Sequence, residues 1–270
     1  MRERPRRQDA APSARHAPAR KRFGQHFLEA AWVRKLIAAI DPKPDEAFIE
    51  IGPGRGALTR PLAERARHVT AYEIDRDLAA DLRACAVPNL TLVEGDFLDQ
   101  PPAAGDRPLR VAANLPYNVA SPILFKLLDW SRRGVPLVDA TVMLQREVAD
   151  RLLAEPGSRD YGVLTVLVRH RASVERLLSL PPGAFRPPPK VQSAVVRLRF
   201  HAPDPAVRDE AAFERLVKKA FSQRRKMLAN ALFGDGVGTE STPSRRFDIG
   251  RRRAETLSIA DYADLANRFG

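Results

Sequence analysis

Along this chain the apolar positions form one helical stripe, then a series of short β-like runs, then a second helical region. "EAAWVRKLIAAI" (29 to 40) sets Trp32, Val33, Leu36, Ile37 and Ile40 on one stripe, the spacing of an amphipathic helix. "AFIEI" (47 to 51), "HVTAYEI" (68 to 74), "LTLVE" (90 to 94), "LRVAAN" (109 to 114) and "DATVML" (139 to 144) are short apolar or β-rich runs, with helix-like segments between most of them. Such alternation predicts a parallel sheet covered by helices on both faces. Past Leu180, "PPGAFRPPPKVQSAVVRLRF" is a proline-rich loop running into a strand, and from Asp209 the pattern is helical. There "AAFERLVKKAFSQRRKMLANALF" (211 to 233) is amphipathic and "LSIADYADLANRF" (257 to 269) closes the chain. The expected organisation is a basic tail over 1–20, an α/β domain over 21–206 and a small all-helical domain over 207–270. No internal repeat is visible.

Composition narrows the class. A chain of 270 residues that is 44% hydrophobic buries a substantial core. Its single cysteine, Cys85, excludes a disulfide framework and a cysteine-based zinc cluster and fits a reducing compartment, the cytoplasm by default. No metal site is expected. The Arg-rich start lacks the apolar core of a secretory signal, and no run reaches the ~18 apolar residues of a membrane span. A transit peptide is the alternative for that start, and Glu3, Asp9 and the prolines beside them count against it.

The net charge of +12 is unevenly spread. Residues 1 to 22 carry eight Lys/Arg against two acids, residues 23 to 180 twenty against twenty-one, and residues 181 to 270 seventeen against ten. A neutral middle with cationic ends is suited to bringing a polyanion to a site, since phosphate neutralisation supplies most non-specific nucleic-acid affinity. A solvated basic surface is the other reading.

"IEIGPGRGALT" (49 to 59) is a strand, a glycine loop at Gly52, Gly54 and Gly56, and a helix start. Glycines let the backbone turn sharply and approach a ligand; alone, such a loop is also an ordinary strand-to-helix turn. Glu73 ends the next strand about 20 residues on, where an acid in a Rossmann-like sheet accepts both ribose hydroxyls. Its alternative role, a helix N-terminal acid, is open to Asp75 or Asp77. Asp96 follows the third strand at the same edge, where a carboxylate accepts from an adenine amine. The loop spacing is G-x-G-x-G rather than the dinucleotide pattern, and no phosphate loop is present, so S-adenosylmethionine fits better than NAD or ATP.

Asn114-Leu115-Pro116-Tyr117 follows the fourth strand and so lies beside that ligand. The Asn114 amide oxygen and the Leu115 carbonyl both accept hydrogens from an adenine N6 amine, freeing its lone pair. Pro116 fixes the carbonyl's direction, and Tyr117 offers a stacking face. The alternative gives Asn114 to capping the helix that starts near Val119 and Pro116 to ending the strand.

"KRFGQHFL", "EIGPGRGALT", "YEIDRDL", "GDFLD", "NLPYN", "LQREVADRL", "YGVLTV", "FRPPPKVQSAVVRL" and "AFSQRRKML" occur in this order. Together they resemble the ribosomal RNA adenine-N6,N6-dimethyltransferases, and within them the bacterial small-subunit group whose loss confers kasugamycin resistance. The resemblance spans the chain after residue 20. It implies a Rossmann-like S-adenosylmethionine-dependent methyltransferase sheet followed by a small helical domain. It also implies a monomer that dimethylates two adjacent adenines in the 3′-terminal hairpin loop of 16S rRNA, in 30S subunits or their precursors. Family cofactor contacts fall on His26, Leu28, Gly52, Glu73, Asp96 and Asn114, with Gly54 in the same loop. Position 26 is often Asn in relatives, so a His there brings a pH-dependent charge. Phe185 matches the family position over the second face of the flipped adenine, or else is a core aromatic. Arg224, Arg225 and Lys226, with Arg251, Arg252 and Arg253, suit phosphate contacts on structured RNA, and the tail is expected to order only on binding. DNA amino-methyltransferases usually carry a second proline where Leu115 stands. An assembly factor that binds RNA without catalysis is the reading from another class.

Overall fold

The structure is a computed structural model that describes residues 26–103, 105–224, 226–233 and 252–269. Its centre is a seven-stranded sheet made by β2 (Ala47–Ile51), β3 (His68–Glu73), β4 (Leu90–Glu94), β5 (Leu109–Asn114), β6 (Leu137–Gln145), β7 (Ala172–Leu180) and β9 (Ser193–Phe200). The order across the sheet is β4-β3-β2-β5-β6-β9-β7. The first five pair in parallel, while β9 runs antiparallel to both β6 and β7. The sheet is thus mixed, where the alternation of β-like runs with helical segments pointed to a parallel one. Two short strands, β1 (Phe27–Leu28) and β8 (Phe185–Arg186), form a separate antiparallel pair.

Both faces of the sheet are buried, and successive residues divide between them. Ile49, Ile51, Val111, Ala113, Val142 and Leu144 join the cluster under α4 (Ala120–Arg132), α5 (Arg146–Leu152) and α6 (Val163–Arg169). Phe48, Ala112, Met143 and Val195 join the cluster under α1 (Ala30–Ile40) and α2 (Thr59–Ala63). The predicted stripe of α1 buries Val33, Leu36, Ile37 and Ile40, with Trp32 partly buried. α3 (Arg76–Ala84) starts at Asp75, whose side chain accepts from the Asp77 N–H. At the end of the sheet away from the site, buried Arg110 donates to Asp139 at 3.0 and 2.9 Å, to Glu46 at 2.7 Å and to the Ile40 carbonyl at 2.8 Å. That charge is paired on every side, which its burial requires.

One strand lay outside the sequence expectation, and one helix differs from it. β7 has no clean alternation because it is an edge strand with a register shift between Arg176 and Leu178, so its buried positions do not repeat every second residue. The expected helix over 211 to 233 is broken into α7 (Glu210–Ser222) and α8 (Leu228–Phe233), with Gln223 in a non-helical conformation. At the break, Leu228 N–H donates to the Arg252 carbonyl, joining α8 to the segment before α9 (Ile259–Phe269). Phe213, Val217, Leu228, Leu257, Tyr262 and Leu265 belong to the same cluster as the sheet face beneath α4 to α6.

Candidate active site

β2, β3, β4 and β5 are neighbours and parallel, so their C-terminal ends deliver four loops to one edge of the sheet, where ligands collect in such folds. The loops enclose a cavity of about 390 Å³ lined by Gly52–Arg55, Glu73, Asp96 and Asn114–Tyr117, among others, and closed on one side by His26–Leu28. His26, Leu28, Gly52, Gly54, Glu73, Asp96, Asn114, Leu115, Pro116 and Tyr117 all line it.

The glycine loop is built for close approach. Gly54 has φ +58°, and a Cβ there would meet the Phe27 ring at 3.4 Å. At Gly56, φ +76° is a conformation that favours glycine, and a Cβ would also press on Leu82 Cδ1 of α3 at 2.9 Å. Glu73 is 4% exposed. Its Oε2 accepts the Gly54 N–H and its Oε1 the Asp75 N–H, each at 2.9 Å, and each oxygen has lone-pair capacity left for a hydroxyl. Burial raises the carboxyl's pKa, against which the N–H donors act, while Asp75's charge adds to the rise. Asp75, not Glu73, is the helix-capping acid. Asp96 Oδ1 accepts from Leu98 N–H at 2.8 Å, and Lys126 of α4 donates to the Leu98 carbonyl, fixing the turn that Asp96 begins.

Asn114 does not cap α4: that helix begins after Val119 with no side-chain cap. Its Nδ2 instead donates to the His26 carbonyl at 3.1 Å. Leu115 is 1% exposed and anchored by its N–H on the Met143 carbonyl. The Pro116 carbonyl accepts from Val119 N–H, which shapes the turn into the helix. Tyr117 shares a 2.8 Å hydrogen bond with the Ser193 hydroxyl, and one face of its ring stacks on His26 at 5.6 Å and 26°. Burial holds its phenol above the ordinary value.

His26 Nδ1 lies 2.8 Å from the Pro187 carbonyl. A carbonyl only accepts, so Nδ1 carries the hydrogen and the neutral ring has none on Nε2. Donation from Nε2 to a ligand carboxylate therefore requires the doubly protonated ring.

Phe185 needs correction. It is 1% exposed, packs in the cluster beneath α1, and is absent from the cavity lining. Pairing of β8 with β1, Phe185 opposite Leu28, turns the side chain into the core, so it is the core aromatic of the two readings. Among the cations expected on RNA, Arg224 donates to the Ser158 and Arg159 carbonyls at 3.3 and 2.6 Å, and Arg252 to the Thr256 carbonyl and Asp261 at 2.6 and 3.1 Å. Lys226 and Arg253 are exposed. Arg225, Arg251 and the basic tail lie outside the described residues, and none of the described cations of these two clusters lines the cavity.

The sequence reading gave no role to Glu50, Phe27 or Arg55, all of which line the cavity. Glu50 is 2% exposed, and its Oε2 has no hydrogen-bond partner among the described residues. Burial, with Glu73's charge adding, pushes its carboxyl up to about 8. Its signal was its place two residues before the first glycine of the loop.

A parallel-ended sheet of this order, with a glycine loop, a buried acid on the second strand and an Asn-Leu-Pro-Tyr turn on the fourth, defines a Rossmann-like methyltransferase. The comparisons take the class further. The family model described as "Ribosomal RNA adenine dimethylase" matches residues 17–270, and the chain belongs to that family. It is 48% identical over 252 residues to the ribosomal RNA small subunit methyltransferase A of Aromatoleum aromaticum, covering 92% of this chain and 93% of that one. It is 49% identical over 254 residues to the protein of the same name from Methylibium petroleiphilum, covering 92% and 95%. In structure it is similar to a dimethyladenosine transferase from Plasmodium falciparum, with TM-score 0.76, 26% identity, and 89% and 96% of the two chains covered. The 23S rRNA methyltransferase ErmE matches with TM-score 0.65, 30% identity, and 90% and 98% covered. No described helix is long and apolar enough to cross a membrane, and no group of metal-binding side chains occurs among the described residues.

Proposed function

We propose that this chain transfers methyl groups to N6 of two adjacent adenines in the 3′-terminal hairpin loop of 16S rRNA, two to each base. The donor is S-adenosylmethionine, the substrate the 30S subunit or its precursor, and the place the cytoplasm, with the protein acting as a monomer. The observation that carries the reading is the convergence of Glu73, Asp96 and Asn114–Tyr117 on one cavity.

The residues fit the donor. Glu73, fixed by two backbone N–H groups, offers both oxygens to the ribose hydroxyls, and Asp96 receives the adenine amine. Gly52 and Gly54 leave room that side chains would fill. When bound, the donor supplies an activated methyl on a sulfonium that departs readily as a neutral thioether.

The chain's own work is to present the target amine. With Asn114 Nδ2 held by His26, its Oδ1 faces away from that carbonyl and accepts one N6 hydrogen, and the Leu115 carbonyl accepts the other. Withdrawing the N6 lone pair from the ring's π-system makes it nucleophilic. Tyr117, tethered to Ser193, stacks the extruded base on the face not covered by His26. Such stacking is worth about 1–3 kcal/mol, against the few kcal/mol that extrusion costs. Tyr117's raised pKa keeps it a phenol and excludes it as a base. Alignment is the main contribution, since a well-oriented pair of reactants removes several kcal/mol of barrier. The exposed cations Lys226 and Arg253, with Arg225 and Arg251, contribute phosphate contacts, and residues 207–270 act as a small RNA-binding domain.

Incubating the protein with labelled S-adenosylmethionine and under-methylated 30S subunits, then mapping modified bases by primer extension, tests this. Label on two adjacent adenines near the 3′ end of 16S rRNA is expected. The likeness to ErmE makes 23S rRNA the second substrate to offer, and label there alone would overturn the small-subunit reading.

A further inference from the structure

The methyltransfer reading leaves one end of the cavity without an assigned partner. Adenine, ribose and reactive methyl fall to Asp96, Glu73 and Asn114–Tyr117. The wall that remains is where β1 crosses the glycine loop, His26–Leu28 against Gly52–Arg55. On that reading the donor's amino-acid half, which carries a carboxylate, is left to this wall. Besides Glu50, whose raised pKa keeps it protonated, two acids already line the cavity, Glu73 and Asp96. A further carboxylate entering without a cation would be repelled.

Arg55 is the one Lys or Arg among the described residues that line the cavity. It sits between Gly54 and Gly56 and is partly buried, with its guanidinium carbon 3.9 Å from the centroid of the Phe27 ring. That ring lies against the loop, 3.4 Å from where a Cβ on Gly54 would stand. A guanidinium over an aromatic face keeps its N–H donors in the guanidinium's own plane, the arrangement that matches a planar carboxylate. His26 does not substitute for it: its Nδ1–H is spent on Pro187, so its neutral ring presents only an acceptor.

The geometry points to Arg55, seated on Phe27, as the residue that binds the carboxylate of the donor's methionine half. This rests on the methyltransfer reading and adds a specificity determinant to it: the enzyme selects donors that carry a carboxylate. A charge-assisted contact of this type, lost on substitution, weakens binding by about tenfold or more.

The test is calorimetric titration, without RNA so that nothing turns over, of S-adenosylmethionine and of decarboxylated S-adenosylmethionine, which lacks only that carboxylate. Wild type, Arg55→Leu and Arg55→Lys are compared. Wild type is expected to prefer the intact donor. Arg55→Leu should lose about tenfold for the intact donor and little for the decarboxylated one, collapsing the preference, and Arg55→Lys should restore part of it. Equal losses for both ligands would make Arg55 a scaffold of the loop and overturn the proposal. Unchanged binding of both would also overturn it, and a loss of 30S affinity in the same variant would then place Arg55 on an RNA phosphate. Failure of the wild type to bind either ligand would overturn the donor reading itself, and this inference with it.

Discussion

Asn114 is aimed by His26: its side-chain N–H donates to the His26 carbonyl at 3.1 Å, joining the end of β5 to the strand that closes the cavity. An amide has one donor end and one acceptor end, so committing Nδ2 decides where Oδ1 points. Asn114→Ala removes an acceptor needed when charge builds on N6. It is expected to lower kcat by about 10²-fold, the scale of losing one preorganised transition-state contact, while the Kd for S-adenosylhomocysteine changes less. Comparable losses in both would reduce Asn114 to a donor-binding residue.

Tyr117 separates stacking from tethering. Tyr117→Ala should cut turnover far more than donor affinity. Tyr117→Phe keeps the ring and loses only the Ser193 hydrogen bond, a change of about 1 kcal/mol, or roughly fivefold in kcat/KM. If Phe were as poor as Ala, the ring face would not be the operative feature.

Glu50 makes stability depend on pH. Its proton leaves near 4.5 in the unfolded chain but near 8 in the folded one, so between those values the folded state holds more protons. Stability is therefore full below 4.5, falls as pH rises through that interval, and is flat again above it. Glu50→Gln stays neutral throughout. The Tm of the variant relative to wild type should rise steadily across the window; parallel Tm curves would show Glu50 titrating normally.

Arg224 and Arg253 should behave as opposites. Arg224 holds the Ser158 and Arg159 carbonyls, so Arg224→Ala is expected to lower Tm and leave the salt slope of 30S binding largely intact. Exposed Arg253 has no such bonds among the described residues, and Arg253→Ala should flatten the slope by about one contact's worth with Tm unchanged. The reverse pattern would move the RNA contact to Arg224.

Much of this architecture was written in local pattern. The β2–β5 runs stood out as short apolar or β-rich stretches between helix-like segments, α1 because its buried residues recur every three to four positions, and the site lies where the four strands end. β7 was illegible because an edge strand with a shifted register buries no regular set. The break after Ser222 was hidden because "QRRKM" has good helix formers, and a tertiary bond from Leu228 to Arg252 overrides them. Phe185 stayed open between two readings for a similar reason: the fate of its side chain depends on pairing with Leu28, far off in sequence. Arg55 passed unseen because its meaning comes from Phe27, on another segment.

The most direct measurement is a crystal structure of the protein soaked with S-adenosylhomocysteine. The ribose hydroxyls should lie on Glu73, the adenine amine at Asp96, and the sulfur should open toward Asn114 Oδ1 and the Leu115 carbonyl. A ligand seated elsewhere, or a sulfur turned away from those two oxygens, would contradict the account.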